Sequence, residues 1–425
     1  MKKEWGKGTN CVQGGYEPGV GEPRVLPIYQ SATYKYDDPD KLEDLFNLKA
    51  EGHLYSRISN PTVAAFEEKF AKIEGGVGAV ATSSGQSAIL LAILNICKAG
   101  DHILSVSSLY GGTINLFTVH LKNMGIEVTF VNPEASEEEI LAEARENTKL
   151  VYGEAIGNPG LNVLDFDKFS KVAKKLDVPF VVDNTVATPV LFNAFEHGVN
   201  ISIHSTTKYT EGHAQTIGGI VVDGGNFNWD NGKFPDLVKP DASYHGVKYV
   251  EDFGDAAYIV KLRVTLLRDF GCCMSPFNAY ITNLGMETLG LRMEVHSHNA
   301  LQLAKYLENH PKVSWVNYPY LESSKSYNNA VKYLNGGGSG LLTFGIKGGI
   351  EESKNFCRAL KLVALAVTLG DSRSCILHPA TTTHSQLNDK DLAASGVSKD
   401  LLRVSVGIED IDDIINDFEQ AFNSI

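Results

Sequence analysis

The central part of the chain alternates short apolar runs with longer segments of helical periodicity. The apolar runs predict seven strands, at 78–84, 102–106, 127–131, 150–156, 179–183, 201–204 and 217–222. Between them lie helical patterns at 87–97, 113–124, 137–146, 166–176 and 189–197. Short strands separated by helices of this length are typical of crossover units over a parallel sheet covered on both faces. The pattern therefore predicts a large α/β domain, residues 61–277, around a mostly parallel seven-stranded sheet.

The two ends of the chain have different patterns. Residues 1–60 are rich in Gly, Pro and Tyr with little periodicity, and their aromatic content favours an arm that reaches the neighbouring subunit over a disordered tail. The stretch 223–276 begins with Gly, Asn and Asp and is interpreted as a long polar insertion. Residues 278–425 combine helical patterns, one of them running to about 307, with short strands, and predict a smaller C-terminal α+β domain.

Composition and charge limit the partners of the chain. The 425 residues are 43% hydrophobic and 21% charged, with a net charge of −13, which is ordinary for a globular protein but unfavourable for binding nucleic acid or an anionic membrane. No apolar run approaches the roughly 20 residues of a membrane span, and the first residues resemble neither a signal nor a transit peptide. The six cysteines show no C-x-x-C spacing, and we expect Cys272 and Cys273 to be buried. These features predict a cytoplasmic protein.

Three segments carry candidate chemistry for one cofactor. Gly85 and Gln86 follow Ser83-Ser84 where a strand ends and a helix begins, and a helix N-terminus binds phosphate through its free N–H groups. Small polar residues are common at such junctions, so this segment alone is a weak signal. Asp183 ends the apolar run 179–183, where it either caps the next helix or pairs with a cation such as a protonated pyridine nitrogen.

The third segment is Ser205-Thr206-Thr207-Lys208. A lysine at the end of a buried strand loses solvation, which lowers its pKa and makes its amine nucleophilic. Ser205 and Thr207 are spaced to point at a phosphate while Lys208 points at an aldehyde carbon. A lone loop lysine is usually solvated, but the order phosphate loop, aspartate and Ser-x-Thr-Lys predicts a pyridoxal-5′-phosphate (PLP) site.

Other cofactors find little support in the sequence. It contains no Walker loop, no H-E-x-x-H and no Cys/His zinc spacing, so no metal is expected. His296 and His298 are interpreted as exposed helix residues.

At this point the chain resembles, over essentially its whole length, the Cys/Met-metabolism family of PLP enzymes with fold type I. The segments that carry the resemblance, beyond the Asp183 and Lys208 motifs, are 55–62 (YSRISNPT), 107–113 (SSLYGGT), 157–159 (GNP), 369–371 (LGD), 378–380 (HPA) and 403–410 (RVSVGIED). The resemblance implies a fold type I architecture and homotetramers built from catalytic dimers.

The resemblance also implies roles for individual residues. Tyr110 would stack on the pyridoxal ring and move protons, and Asn158 would bind its phenolic oxygen. Tyr55 and Arg57 would reach the phosphate of the neighbouring subunit's site, with Tyr55 also near the substrate. Arg403 would bind the substrate α-carboxylate, with help from the backbone near Ser374.

Within the family, the O-acetylhomoserine sulfhydrylase branch is the most similar. Its D-G-G-x-F-x-W signature matches 223–229, Gly112 stands where methionine γ-lyases have a cysteine, and Arg373 where cystathionine γ-lyases have a glutamate. The branch implies replacement of the acetate of O-acetyl-L-homoserine by sulfide or methanethiol. The alternatives are γ-elimination by a lyase and a non-catalytic PLP-fold protein. Glu211 and Ala214 depart from the usual sequence after the lysine, which leaves the shape of that loop open.

Overall fold

The seven predicted strands form a single sheet in the computed structural model, which describes residues 5–383 and 397–425. They are β1 (Gly78–Thr82), β2 (His102–Val106), β3 (Glu127–Val131), β4 (Thr148–Glu154), β5 (Phe180–Asp183), β6 (Ile201–His204) and β7 (Gly219–Asp223). Their order is β1-β7-β6-β5-β4-β2-β3, and only β7 runs antiparallel to its neighbours. The prediction of a mostly parallel seven-stranded sheet is therefore confirmed, with strand bounds within one or two residues of the expected ones.

Helices precede, cover and follow this sheet. They are α1 (Lys7–Gln13), α2 (Pro39–Phe46), α3 (Pro61–Glu74), α4 (Gly85–Leu94), α5 (Gly111–Asn115), α6 (Glu137–Ala142), α7 (Phe166–Leu176), α8 (Thr188–Leu191), α9 (Pro235–Val238), α10 (Tyr249–Phe253), α11 (Ala257–Leu262) and α12 (Arg268–Phe270). Two π-helical turns, Leu116–Leu121 and Arg263–Leu267, continue α5 and α11, and 3-10 turns lie at Ala194–His197 and Gly254–Ala256. The Asn60 side chain accepts from the N–H groups of Thr62 and Val63, which fixes the start of α3.

The C-terminal part has its own sheet and core. It contains α13 (Pro276–Met286), α14 (Leu289–Glu308), β8 (Val313–Asn317), α15 (Tyr327–Tyr333), β9 (Leu341–Ile346), α16 (Ile350–Ala359), β10 (Ala364–Leu365), β11 (Cys375–Leu377), a 3-10 turn (Pro379–Thr381), β12 (Leu401–Ser405) and α17 (Ile411–Asn423). The sheet order is β10-β11-β12-β9-β8. Phe344, Phe356 and Phe418 pack together at its centre. The boundaries proposed for the arm and the two domains stay predictions.

The insertion at 223–276 is helical, so its interpretation as a polar connection was wrong. Tyr249, Tyr258 and Leu262 are fully buried there, and Tyr258 stacks on Trp229 with ring centroids 5.1 Å apart. The helical spacing of Tyr258 and Leu262 was the signal that the sequence offered. Cys272 and Cys273 are partly exposed, which also differs from the prediction.

One helix of the folded chain was not predicted, and the expected exposure of one histidine was wrong. The arm begins with a helix, α1, whose Cys11 joins the core of α3 in its own subunit. His296 is fully buried, and its Nδ1 lies 2.7 Å from the Val406 carbonyl oxygen, so it connects α14 to the end of the small sheet. Burial lowers the pKa of His296 to about 4, which keeps the ring neutral. His298 is exposed as predicted.

No helix in the described ranges is long and apolar enough to cross a membrane.

Candidate active site

A cavity of about 260 Å³ opens at the carboxyl ends of the large sheet's parallel strands, beside the small sheet. This is the edge at which open α/β sheets bind ligands. Nine of the residues predicted for the site line this cavity. They are Gly85, Gln86, Tyr110, Asn158, Asp183, Ser205, Thr207, Lys208 and Arg403. The fold therefore joins segments that are more than 300 residues apart in the sequence.

The phosphate end of the cavity is built by two segments in close contact. Ser84 caps α4 by accepting from the Ser87 N–H, which leaves the N–H groups of Gly85 and Gln86 at the helix start. A Cβ on Gly85 would lie 2.6 Å from Cβ of Ser205, so only glycine allows the two segments to meet. The Thr207 hydroxyl is held by the backbone of Gly218, at 3.0 Å from its nitrogen. Together these groups form a cradle of hydroxyls and N–H donors that suits a phosphate.

Asp183 lies deeper in the cavity. Its Oδ1 accepts from the Thr185 N–H at 2.9 Å, and the Thr185 hydroxyl accepts from the Ser205 N–H at 2.8 Å. Burial raises the pKa of Asp183, while the hydrogen bonds from Thr185 and the charge of His204 act to lower it. Asp183 is largely buried and has no ion-pair partner among the residues that the structure describes, which fits a protonated ring nitrogen of the cofactor.

Lys208 enters the cavity from the turn after β6. Burial lowers the pKa of Lys208, and the positive charge of Arg403 lowers it further. A lower pKa increases the fraction of neutral, nucleophilic amine near neutral pH. The Lys208 amine is therefore suited to attack an aldehyde and to move protons.

Arg403, on β12, brings the small sheet into the site. Its Nη1 donates to Asn158 Oδ1 at 3.1 Å, and its Nη2 donates to the Thr368 carbonyl oxygen at 2.9 Å. The residue is only 6% exposed, and its Nε has no partner in the part of the chain that the structure describes. A buried guanidinium with spare donors suits a carboxylate.

The structure does not bring Ser374, Tyr55 or Arg57 to this cavity. The backbone N–H and the hydroxyl of Ser374 both donate to the Glu409 carboxylate, at 2.6 and 2.9 Å. The residue beside the Arg403 guanidinium is instead Thr368, through its carbonyl oxygen. Arg57 lies over the Tyr55 ring, 5.2 Å from its centroid, and donates to a backbone carbonyl of α12. Their predicted role in a neighbouring subunit's site stays a prediction.

The two residues that mark the branch, and Glu211 in the loop after Lys208, have clear surroundings. A Cβ on Gly112 would lie 2.5 Å from the ring of Tyr110, so a larger residue there would displace the tyrosine. The Arg373 side chain is 71% exposed and pairs with Asp371 outside the cavity, so solvent would screen repulsion between its charge and a distal ammonium on a substrate. Glu211 is buried and accepts from the N–H groups of His213 and Gln215, which closes the loop after Lys208.

The prediction missed Glu154, Thr185, Thr368 and the apolar lining residues Ile217 and Val367. Glu154 ends β4 as Asp183 ends β5, so the rule that singled out the aspartate would have found it as well. The other four carry no chemical signal in the sequence, because a threonine or an aliphatic residue is ordinary in any loop.

A strand-end lysine, an aspartate and a phosphate cradle at the edge of a mostly parallel sheet are typical of PLP-dependent enzymes with fold type I. The family model for "Cys/Met metabolism PLP-dependent enzyme" matches residues 8–423, and the chain belongs to this family. The predicted fold class and cofactor are thereby confirmed.

Individual relatives are similar along the whole chain. The O-acetyl-L-homoserine sulfhydrylase of Leptospira meyeri is 45% identical, with 100% of this chain and 98% of the relative covered. The homocysteine synthase of Schizosaccharomyces pombe is 46% identical, with 97% of each covered. A crystal structure of an O-acetylhomoserine (thiol)-lyase from Campylobacter jejuni, which contains N′-pyridoxyl-lysine-5′-monophosphate, superposes with a TM-score of 0.95 at 36% identity, covering 99% of this chain and 100% of that one.

Proposed function

We propose that the chain catalyses γ-replacement on O-acetyl-L-homoserine, in which sulfide or methanethiol displaces acetate to give L-homocysteine or L-methionine. The single observation that carries the proposal is that Lys208, Asp183 and Arg403 face one cavity. These are the amine, the acid and the carboxylate anchor that this reaction needs. The end-to-end similarity to relatives that bear the name supports the choice of substrate.

PLP, when bound, supplies an electron sink that makes the α-proton of an amino acid acidic. Gly85, Gln86, Ser205 and Thr207 would hold its phosphate. Asp183 would keep its ring nitrogen protonated, and the Asn158 amide nitrogen would donate to its phenolic oxygen while Asn158 Oδ1 stays on Arg403. The Tyr110 ring, at the start of α5, would cover the cofactor ring.

Lys208 is the general base and acid of the proposed reaction. Its lowered pKa leaves the amine free to remove the proton from Cα of the substrate and to carry protons onward as acetate leaves Cγ. Tyr110 is 44% exposed at the cavity and would assist proton movement near Cγ. Acetate leaves with the electrons of the broken Cγ–O bond, and the sulfur nucleophile then adds at Cγ.

Arg403 would bind the substrate α-carboxylate and so orient Cα toward Lys208. Its guanidinium is already fixed by Asn158 and the Thr368 carbonyl, so little rotamer freedom is lost on binding. Ile217 and Val367, 61% and 71% exposed, form an apolar part of the cavity wall. An uncharged acetyl ester would contact such a wall at lower desolvation cost than a charged side chain would.

Product analysis tests the function. Purified enzyme with O-acetylhomoserine and sulfide should release homocysteine and acetate, with 2-oxobutanoate formed at least tenfold more slowly from methionine. Succinyl- and phosphohomoserine serve as matched substrates that differ only in the leaving group. Oxoacid release from methionine as fast as homocysteine formation would show a γ-lyase instead.

The assembly proposed is a cytoplasmic homotetramer of catalytic dimers, in which Tyr55 and Arg57 complete a partner's phosphate site. Support comes from their place outside their own cavity, on the exposed side of the arm. Mixing inactive Lys208→Ala subunits with weakly active Arg57→Ala subunits should restore part of the activity through hybrid sites. Hybrid dimers that form but stay inactive would refute the shared site.

A further inference from the structure

Glu154 is a second buried acid of the cavity that the roles above leave unused. It is the last residue of β4, is 5% exposed and lies in register with Asp183 on the adjacent parallel strand β5. Residues in register on parallel strands point to the same side of a sheet. Two carboxyl groups therefore stand side by side at the floor of the site.

Glu154 also holds the backbone around it. Its Oε1 accepts from the Tyr110 N–H at 2.7 Å, and the backbone of Asn158 donates to the same carboxyl group. Tyr110 and Asn158 are the two residues assigned to the cofactor ring and its phenolic oxygen. One side chain thus fixes the main chain at both.

The two acids are stabilised unequally as anions. Burial and the neighbouring Asp183 raise the pKa of Glu154 well above its usual range, despite the two backbone donors. Burial also raises the pKa of Asp183, but Thr185 donates to it twice and the charge of His204 favours its ionised form. When the two carboxyl groups carry one negative charge between them, the charge therefore lies on Asp183.

The other groups that face the pair leave this assignment unchanged. Tyr152, two residues earlier on β4, is fully buried, and burial keeps the pKa of its phenol high, so it is neutral. Lys208 and Arg403 line the same cavity, and the neighbouring charge of Asp183 raises the pKa of Glu154.

We propose that Glu154 is a positioning residue that fixes Tyr110 and Asn158 in place and stays neutral, so that Asp183 is the anion facing the cofactor ring. The inference rests on the proposed cofactor site and deepens it. Glu154 makes no step of the reaction itself.

Two substitutions separate the neutral form from the charged form. Glu154→Gln keeps a carbonyl acceptor for the Tyr110 N–H and carries no charge, so PLP affinity, kcat and KM should stay within about threefold of wild type at pH 7. Glu154→Ala leaves the N–H without an acceptor, and loss of a buried hydrogen-bond partner predicts PLP binding weakened at least fivefold. The absorbance spectrum of the bound cofactor should shift as Tyr110 moves. A glutamine variant as impaired as the alanine variant would overturn the proposal.

The pH dependence of stability gives a readout that a purely structural role would not change. A carboxyl group whose folded-state pKa is raised stabilises the fold fully below its unfolded pKa and loses that contribution as pH rises through the folded value. Cofactor-free wild type should therefore lose melting temperature relative to Glu154→Gln as the pH rises above about 4.5, the usual carboxyl value. Glu143→Gln, at the exposed C-terminal cap of α6, should follow wild type throughout. A difference that does not change with pH would overturn the proposal.

The two proposals fail in different ways. Wild-type protein that binds no PLP would refute the proposed function, yet the pH experiment on cofactor-free protein would still decide the state of Glu154. If the alanine variant does not fold, the glutamine variant and the pH series remain decisive.

Discussion

Glu154 and Glu74 are both buried carboxyl groups beside the central strands of the large sheet, but they lie on opposite faces. Glu74 ends α3 and forms a rear cluster with Asn184, Ser202 and His204, in which its Oε1 lies 3.1, 2.6 and 2.9 Å from their donors. Glu154 faces the cavity, where its neighbour is another acid. Successive strand residues alternate between faces, which is why Asp183 and Asn184 serve different clusters.

The electrostatic consequence is opposite on the two faces. Burial raises the pKa of Glu74, but the charge of His204 and hydrogen bonds from His204, Ser202 and Asn184 outweigh it, and the net pKa is lowered. On the cavity face, burial and like charge act together, and the pKa of Glu154 is raised. The Glu74 carboxylate accepts from three side chains and so stabilises the fold, whereas Arg403 Nε at the cavity has no partner among the described residues and is available to a ligand.

The largest expected effect is on the cavity face. Lys208→Ala should reduce turnover by at least about 10³-fold, because it removes the general base and the attachment point for the aldehyde. The free energy of unfolding of the cofactor-free protein should not fall, since an unpartnered, desolvated amine is removed. Steady-state rates measure turnover, the visible spectrum reports on the cofactor, and urea unfolding measures the free energy of unfolding. Lys171→Ala on the exposed side of α7 is the control. Unchanged turnover or spectrum would refute the cofactor assignment.

The rear cluster should respond in stability and not in chemistry. Glu74→Ala removes the carboxylate that accepts from His204, Ser202 and Asn184, and breaking a buried pair typically costs about 3–5 kcal/mol of unfolding free energy. Urea unfolding of cofactor-free protein measures it. Turnover per folded molecule should change less than about threefold. A variant that remains as stable as wild type would remove the distinction between the two faces.

Acid should reveal the sign of the Glu74 shift. A carboxyl group with a lowered folded-state pKa stabilises the protein above its unfolded pKa, and the contribution is lost as pH falls through the folded value. The stability gap between wild type and Glu74→Gln should therefore shrink below about pH 4.5, the usual carboxyl value. The gap between wild type and Glu154→Gln changes instead as the pH rises above that value.

Arg403 tests the link between the two sheets. Arg403→Ala should lower kcat/KM at least tenfold, because losing one partner of a buried charge pair costs roughly 2–5 kcal/mol. Arg403→Lys retains the charge but loses the fork that reaches Asn158 and Thr368, and should recover only part of the loss. PLP affinity is the control and should change little, since the guanidinium serves the substrate. An unchanged KM and kcat would assign the carboxylate to another residue.

The smallest effect is expected at Arg373. Its side chain is exposed and paired with Asp371, so Arg373→Ala should change kcat/KM for O-acetylhomoserine less than about twofold. Cystathionine cleavage is the sharper assay, because repulsion of a distal ammonium would be relieved there. A tenfold gain in cystathionine cleavage would show that the charge acts on the site after all.

The sequence by itself determined the strands and the cofactor, and it predicted nine of the residues that line the cavity. The sequence predicted β2, β3 and β6 at their observed bounds, and β2 and β6 are buried along their whole length, where a strand leaves little choice of residue. Asp183 and Lys208 were identifiable because a charged residue at the end of such a run needs a chemical reason. The helical insertion was missed since its apolar spacing is interrupted by π-helical and 3-10 turns.

Only the tertiary structure decided which of these groups share a charge and which are partnered. Glu74 and Glu154 look alike in the sequence, yet one meets an imidazole from β6 and the other an aspartate from β5. Ser374 and Thr368 are both small hydroxyl residues in the sequence before Arg403. Only packing decides that the Ser374 hydroxyl donates to Glu409 and that the Thr368 carbonyl oxygen accepts from the Arg403 guanidinium. The pKa of a carboxyl group depends on charges and donors within a few ångströms, and residues this close come from distant parts of the chain.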